Sequence, residues 1–574
     1  MVSVSIIVPL RGRGTWSASR RGGGGVGWKA GRPRVLSPIT MATLLQARSR
    51  LKCGKAVGKD GVSPSMLKRI TWVGLRHVLR LFQELYLQRF PTPLAWSELL
   101  VVLMPKAKDI TKLVDTRALV LLSSLSKWYT GCLVELAEDY LDRVPQFLHN
   151  YGFCKGRRTH EITAMIKHIT AHALEWGKEE TLHVAALDVK TAFDNVTLEG
   201  ASRALDAIPG FPNDLALALL APSIQDSADF SLQDTTANGI PWNACVRTGS
   251  VEAPFLWKCM TLLLWDQVVL NWEKENLGYV LGEEAGGRYL THALWADNIL
   301  LFSKSKLELA RMVGDFSAQL FTYGFSWKDS SLHYLAFGEE SEGALSENLV
   351  VRVPRFGDLC LPRRSEMECL GCLVSTKTDK HHDVAWKLAR GWKRFNQFRK
   401  FYSNRAVPFQ KKIKHYESRL RAFVLYGVEG MPADHHTLKQ LHTWEGKILC
   451  CMVRRPKPAD MDWCVYHSNL YRRGRRMLLE LGRPSLVQLF LFRQWQWAQD
   501  CTCAAKRSNP TPAQIPPGTF DFGANAGHNV FRQHSYMPAP TPLVDSYMPA
   551  PTPLVPSYMP APTPLSHSDL PAPT

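Results

Sequence analysis

The chain has 574 residues, 45% of them hydrophobic and 21% charged, which is enough for several globular domains with a substantial core. Lys and Arg total 70 against 51 Asp and Glu, a formal charge of +19 that favours a polyanionic partner, either nucleic acid or an acidic membrane surface. Apolar runs such as Ala118 to Leu125 fall far short of the ~20 residues of a membrane helix, and the 13 cysteines show no paired zinc spacing, so an integral membrane protein is disfavoured and a reduced intracellular compartment, nuclear or cytoplasmic, is expected.

The first residues, MVSVSIIVPL, lack the basic flank and cleavage pattern of a secretory signal, so secretion is not expected. Residues 1–45 are rich in Arg and Gly without apolar period and read as a disordered basic arm. From Met66 to Phe90, apolar residues at steps of three and four predict one amphipathic helix that ends before Pro91. A short β-type run, Leu99 to Met104, delivers the chain onto Pro105 and Lys106. Helices are expected over Glu161 to Trp176 and Pro254 to Glu275. Between them, the strand His183 to Val189 stops at the Asp-rich turn LDVKTAFDNV. Two further runs, Leu290 to Leu294 and Ile299 to Phe302, are split by Trp-Ala-Asp-Asn and read as a hairpin with Asp297 at its tip. Beyond residue 380 the pattern turns basic and aromatic and predicts helices, with Trp386, Trp392, Phe395 and Phe398 read as a core stripe. The tail repeats SYMPAPTPL with a period of 11, and proline at that density keeps it extended and disordered. The whole is α+β, helices backing a small antiparallel sheet.

Asp188 ends a hydrophobic strand, and Asp297 lies in a turn between two more, 109 residues later (297 − 188). Two carboxylates on converging strand ends offer the hard oxygen ligands that Mg2+ requires, and paired metal ions suit in-line phosphoryl displacement. Taken singly, either aspartate is more simply explained by turn geometry.

The ordered series of motifs goes further. GKAVGKDGVSPSML at 54–67, LLVVLMPKAKD at 99–109 with DTRALVLLSSLSKW at 115–128, NYGFCKGRRTHEIT at 150–163, AALDVKTAFDNV at 185–196, CVRTGSVEAPFLW at 245–257, LWADNILLF at 294–302 and ECLGCLVS at 368–375 follow one another in the chain. In order and spacing they resemble the reverse-transcriptase domain of non-LTR (LINE-type) retrotransposons over residues 50 to 380. The resemblance implies a right-hand polymerase fold: fingers at 46–180, palm at 181–380, and a helical basic thumb at 381–505, followed by the disordered tail at 506–574. It implies RNA-directed DNA polymerisation, in which a primer 3′-hydroxyl attacks a deoxynucleotide on an RNA template, so that RNA, a DNA primer or target, and dNTPs are the expected partners. Two Mg2+ ions are the implied cofactors, with Mn2+ able to substitute. Asp188 and Asp297 become the catalytic metal ligands, with the Val189 carbonyl a further one. Lys106 and Arg117 would hold the triphosphate. Phe193 would act as the steric gate against a ribose 2′-hydroxyl, and Thr248 and Gly249, with Ser250, would lie against the nucleotide and template.

Three positions depart from the family pattern and bear on activity. Asn298 replaces the second Asp of the Y-A-D-D hairpin, Thr248 replaces the Gln of R-Q-G, and Ser331 stands where G-L-x-L-N-x-x-K has its Lys, with Lys328 nearby. No endonuclease domain is expected before residue 50 and no ribonuclease H cluster after 380, so the chain reads as an element fragment. The alternative reading is a catalytically decayed nucleic-acid-binding protein of the same fold. A structural or interaction protein whose Pro-rich repeats bind partners and a group II intron maturase are lesser alternatives, and Phe193 argues against an RNA polymerase. Oligomeric state is not legible.

Overall fold

The computed structural model describes residues 39–507 except 89, 106–115, 145–149, 176–180, 225–226, 233–234, 243–245, 281–288, 339–346 and 378. Most of the arm and tail expected to be disordered, and the position of Lys106, lie outside the described residues, but the expected boundaries are corrected where they meet them: 41–45 open the helix Met41–Arg50 and 506–507 end the helix Leu486–Arg507. The chain falls into two compact units, one formed by residues 1–141 and 196–256, the other by 142–195 and 257–574.

The first unit holds a four-stranded sheet in the order Thr116–Leu121, Glu98–Pro105, Ser227–Leu232, Thr235–Pro241. The strand Glu98–Pro105 pairs antiparallel with Thr116–Leu121 and parallel with Ser227–Leu232, and the alternate residues Leu99, Val101 and Val120 are buried with Leu122 and Ala228. Period-two burial of this kind is what the β-branched run predicts. Helices Met41–Arg50, Trp72–Tyr86 and Ser124–Leu141 pack beside it, and Phe82 stands edge-on to Trp96, Trp128 and Tyr129. The single helix expected from Met66 to Phe90 is instead two, Pro64–Lys68 and Trp72–Tyr86. Thr71 breaks it: its hydroxyl accepts from Gly74 N–H and caps the second helix, so the apolar spacing runs on through a turn. The strand Thr116–Leu121 gives way at once to the helix Ser124–Leu141, which Ser124 opens.

The second unit is built on an antiparallel sheet ordered His333–Phe337, Leu182–Asp188, Asn298–Ser303, His292–Trp295. Its face buries Leu182, Val184, Leu300, Phe302, Leu335 and Phe337 against Ile162, Ile166 and Ile169 of the helix Thr159–Glu175. Helices Ala253–Lys274 and Lys306–Thr322 supply Trp265, Trp272 and Phe316, which stack together. Hairpin Glu366–Cys369/Cys372–Ser375 turns on Leu370 and Gly371, both at positive φ, as a tight two-residue loop requires. The expected class, helices with a small antiparallel sheet, is what is found.

The described residues 381–507 are mostly helical, as expected, chiefly His382–Gln397, His435–Val453, Trp463–Glu480 and Leu486–Arg507. Phe395 is buried and Trp392 packs against the same core. Trp386 lies under the Arg390 guanidinium, whereas Phe398 stays exposed and edge-on to His415, so the predicted stripe ends one turn early. Glu445 is wholly buried yet accepts from Tyr416, Arg475 and the Leu486 N–H, which satisfies its charge.

Candidate active site

The site stands at one end of the second unit's sheet. Leu182–Asp188 is mostly buried up to Asp188, which pairs in register with Asn298 at the start of the neighbouring strand. Antiparallel register therefore turns two residues 110 apart in sequence (298 − 188) into direct neighbours, and puts Asp297 one residue away. Val189 N–H donates to the Asp297 carbonyl at 3.1 Å, tying the end of one strand to the tip of the other. Phe193 follows in the next turn, half-buried, 6.1 Å from Phe153 and 5.9 Å from Trp257 between ring centres. Asp188, Val189, Phe193 and Asp297 are thus gathered at one place.

The hairpin tip is held on several sides. Ala296 has φ of 56°, a left-handed conformation that costs a residue with a Cβ about 1 kcal/mol or more. The Trp257 indole N–H donates to the Ala296 carbonyl at 2.8 Å, and Tyr151 N–H donates to the Leu294 carbonyl at 2.9 Å. Asn150 orients that second segment, accepting from Gly152 N–H at 3.1 Å and donating to Thr261. A Cβ on Gly152 would fall inside the van der Waals envelope of the Ala296 backbone nitrogen, so glycine is required there by close approach. Sequence reading overlooked Trp257, Asn150 and Gly152 as positioning residues. The available signal was their place inside two quoted motifs, NYGF and EAPFLW.

Electrostatically the site is a pair of facing carboxylates. Burial, and after it the Asp188 carboxylate, push the Asp297 carboxyl above the usual aspartate range. Asn298 is exposed, and its amide lies 3.4 Å from Asp297 Oδ1. On the other flank, Ser326 to Lys328 runs beside Asp188 to Lys190: Lys328 N–H donates to the Asp188 carbonyl at 2.9 Å, and Lys190 N–H to Ser326 at 2.9 Å. The Lys328 ammonium then reaches Asp188 Oδ2 at 3.1 Å. Ser331 closes a 3-10 turn after it and lines the groove beside Asp188, Trp295 and Asn298. Two carboxylates converging on one point, with backbone oxygens of the same turn, suit a hard divalent cation, which would relieve their mutual repulsion. Among the described residues no cluster of three or more His, Cys, Asp or Glu side chains is arranged to hold a metal.

The remaining residues expected at the site belong to the first unit. Arg117 is exposed on Thr116–Leu121, opposite Met104. The loop carrying Thr248 and Gly249 lies on that same strand: Val120 N–H donates to the Thr248 carbonyl at 3.3 Å, and Gly249, at φ of 101°, has the Val120 carbonyl 3.3 Å from where a Cβ would sit. Arg247 anchors the loop by a buried ion pair with Glu252 at 2.8 Å, each side chain only 1% exposed, and donates to the Pro222 carbonyl. Removing either partner would strand a buried charge.

Residues 105–340 match the family model described as "Reverse transcriptase (RNA-dependent DNA polymerase)". That segment is similar to reverse-transcriptase domains. It contains Arg117, Asp188, Val189, Phe193, Thr248, Gly249, Asp297 and Lys328, and it stops before the basic helices beyond residue 380. Among solved structures, the chain is similar to apo telomerase from Candida tropicalis truncated from its C-terminal domain, with a TM-score of 0.35 and 10% identity. The likeness covers 52% of this chain and 59% of that one, so the chain spans less than two thirds of that structure's length. Comparison with the curated proteins gives no match. No helix among the described residues is long and apolar enough to cross a membrane.

Proposed function

We propose that this chain is an RNA-directed DNA polymerase of the non-LTR retrotransposon kind, working inside the cell on an RNA template, a DNA primer and dNTPs. The observation that carries the reading is the register Asp188↔Asn298, which brings the Asp188 and Asp297 carboxylates together within a segment similar to reverse-transcriptase domains. In this reading Asp188 and Asp297, with the Val189 carbonyl, hold Mg2+ or Mn2+. When bound, such ions activate the primer 3′-hydroxyl and neutralise the leaving pyrophosphate. Phe193, fixed edge-on by Phe153 and tilted on Trp257, excludes a ribose 2′-hydroxyl by bulk. Arg117 and Lys106 bind phosphate oxygens, the guanidinium as a planar fork and the ammonium as a point charge. Thr248 and Gly249 present backbone to the nascent pair.

Primer extension by purified protein on poly(rA) with oligo(dT), in Mg2+ and then in Mn2+, tests this. Extension that disappears in Asp188→Ala and Asp297→Ala is the expected result. A second reading, a polymerase fold that binds nucleic acid without catalysis, is favoured by the neutral Asn298 and by the Lys328 ammonium at Asp188. No extension in either metal, together with salt-sensitive template binding, would establish that second reading instead.

A further inference from the structure

The Lys328 ammonium is 3.1 Å from Asp188 Oδ2, with the lysine side chain 52% exposed and the aspartate 17% exposed. Its placement is built into the backbone, because the Lys328 N–H also donates to the Asp188 carbonyl at 2.9 Å and an antiparallel bridge joins Val189 to Trp327. Trp327 is buried, and its indole N–H donates to Ser317 at 2.8 Å, so the segment that carries the lysine is anchored in the core. A positive charge therefore sits against the Asp188 carboxylate, one residue across the register from Asp297. A compact ammonium on a four-carbon stem can also leave: half of it already faces solvent, and nothing but one charge pair holds its tip.

We propose that Lys328 is a resident cation that competes with divalent metal for the Asp188/Asp297 pair, so that metal loading requires the lysine to release Asp188. The inference rests on the two-carboxylate reading given above and goes beyond it by assigning a function to a residue that supplies no metal-ligating atom. A neutral side chain at 328 would leave the carboxylates free to bind the ion, whereas an arginine would keep the competition.

The test is Mn2+ titration of the full-length protein at low ionic strength, read from the electron paramagnetic resonance of free Mn2+. Wild type would be compared with Lys328→Met, Lys328→Gln and Lys328→Arg, each also in the Asp188→Ala background, with thermal melts confirming the fold of each. Lys328→Met and Lys328→Gln are expected to tighten Mn2+ binding about fivefold, the scale of one partly exposed charge pair, while Lys328→Arg stays near wild type. Asp188→Ala should abolish that binding in every background. If the neutral variants bind Mn2+ no more tightly than wild type while Asp188→Ala still removes the site, competition by Lys328 is refuted and the carboxylate site stands. If Asp188→Ala changes nothing in any background, the metal site and the competition fall together.

Discussion

Three residues around the hairpin tip decide how well the two carboxylates are presented. Gly152 is the least replaceable, because a methyl group there meets backbone and not a flexible side chain. Gly152→Ala should destabilise the protein by about 1–3 kcal/mol, the usual range for overpacking, and should cost far more in primer extension than in melting temperature, because the Ala296–Asp297 turn is what moves. Asn298 is exposed beside Asp297 and opposite Asp188, so a carboxylate there would add one negative charge to the proposed metal site without a packing cost. Asn298→Asp is expected to lower the Mg2+ concentration needed for half-maximal extension, and an unchanged Mg2+ titration would show that position 298 does not face the ions. Phe193 makes a separable prediction. In Phe193→Val, ribonucleotide incorporation should rise by roughly tenfold or more relative to deoxynucleotide incorporation, measured as a ratio of single-nucleotide extension rates.

At the level of elements, stability turns on how strands and helices are ended. The strand Leu182–Asp188 stops where Val189 N–H turns to the Asp297 carbonyl, and Lys328 takes the Asp188 carbonyl, so a sheet end that could fray is closed by its own site. The helix His435–Val453 is closed differently, by Asp434, which accepts from Thr437 N–H at 3.0 Å and from His381 at 2.7 Å and pairs with Lys380. Although burial opposes it, these partners hold the Asp434 carboxyl well below the usual range. A depressed folded-state value means that its contribution is fully present above the ordinary aspartate pKa of about 4, and is lost as pH falls through that value toward the folded one. Asp434→Ala should therefore cost about 1 kcal/mol at neutral pH, the scale of a helix cap, and the difference from wild type should shrink in acid. Thermal melts of the two proteins across that pH range would show it. A difference that is constant with pH would mean that the side chain acts by packing alone.

For the molecule as a whole, the excess of Lys and Arg, +19 formally, governs how it meets a polyanion. If six or more phosphates are contacted, template affinity should fall by about 10³ between 50 and 200 mM salt, measured by filter binding or anisotropy. A slope near zero would remove nucleic acid as the main partner. The site residues are divided between the two units, with Arg117, Thr248 and Gly249 in one and Asp188, Phe193 and Asp297 in the other. Mutations in the buried Arg247–Glu252 pair, which supports the Thr248 loop, should accordingly lower the first unit's stability without altering Mn2+ binding by Asp188 and Asp297.

The sequence by itself determined the local pieces. A short apolar run ending in Asp188, a hairpin split by Trp-Ala-Asp-Asn, and helices over 161–176 and 254–275 are set by periodicity and turn chemistry within a dozen residues, and the structure shows each within a residue or two. The ordered motifs also carried the resemblance that the domain match over 105–340 supports at family level. Local pattern failed where one hydroxyl outweighed an apolar stripe, as at Thr71, which caps a new helix at Trp72 after the previous one has ended at Lys68. Tertiary structure alone decided what the site is made of. The pairing of Asp188 with Asn298, the ammonium of Lys328 at Asp188, the Trp257 bond to Ala296 and the close approach of Gly152 all join segments distant in sequence. Register between strands is set by the burial of whole sheet faces, and a side chain's partner across a sheet leaves no trace in the residues next to it.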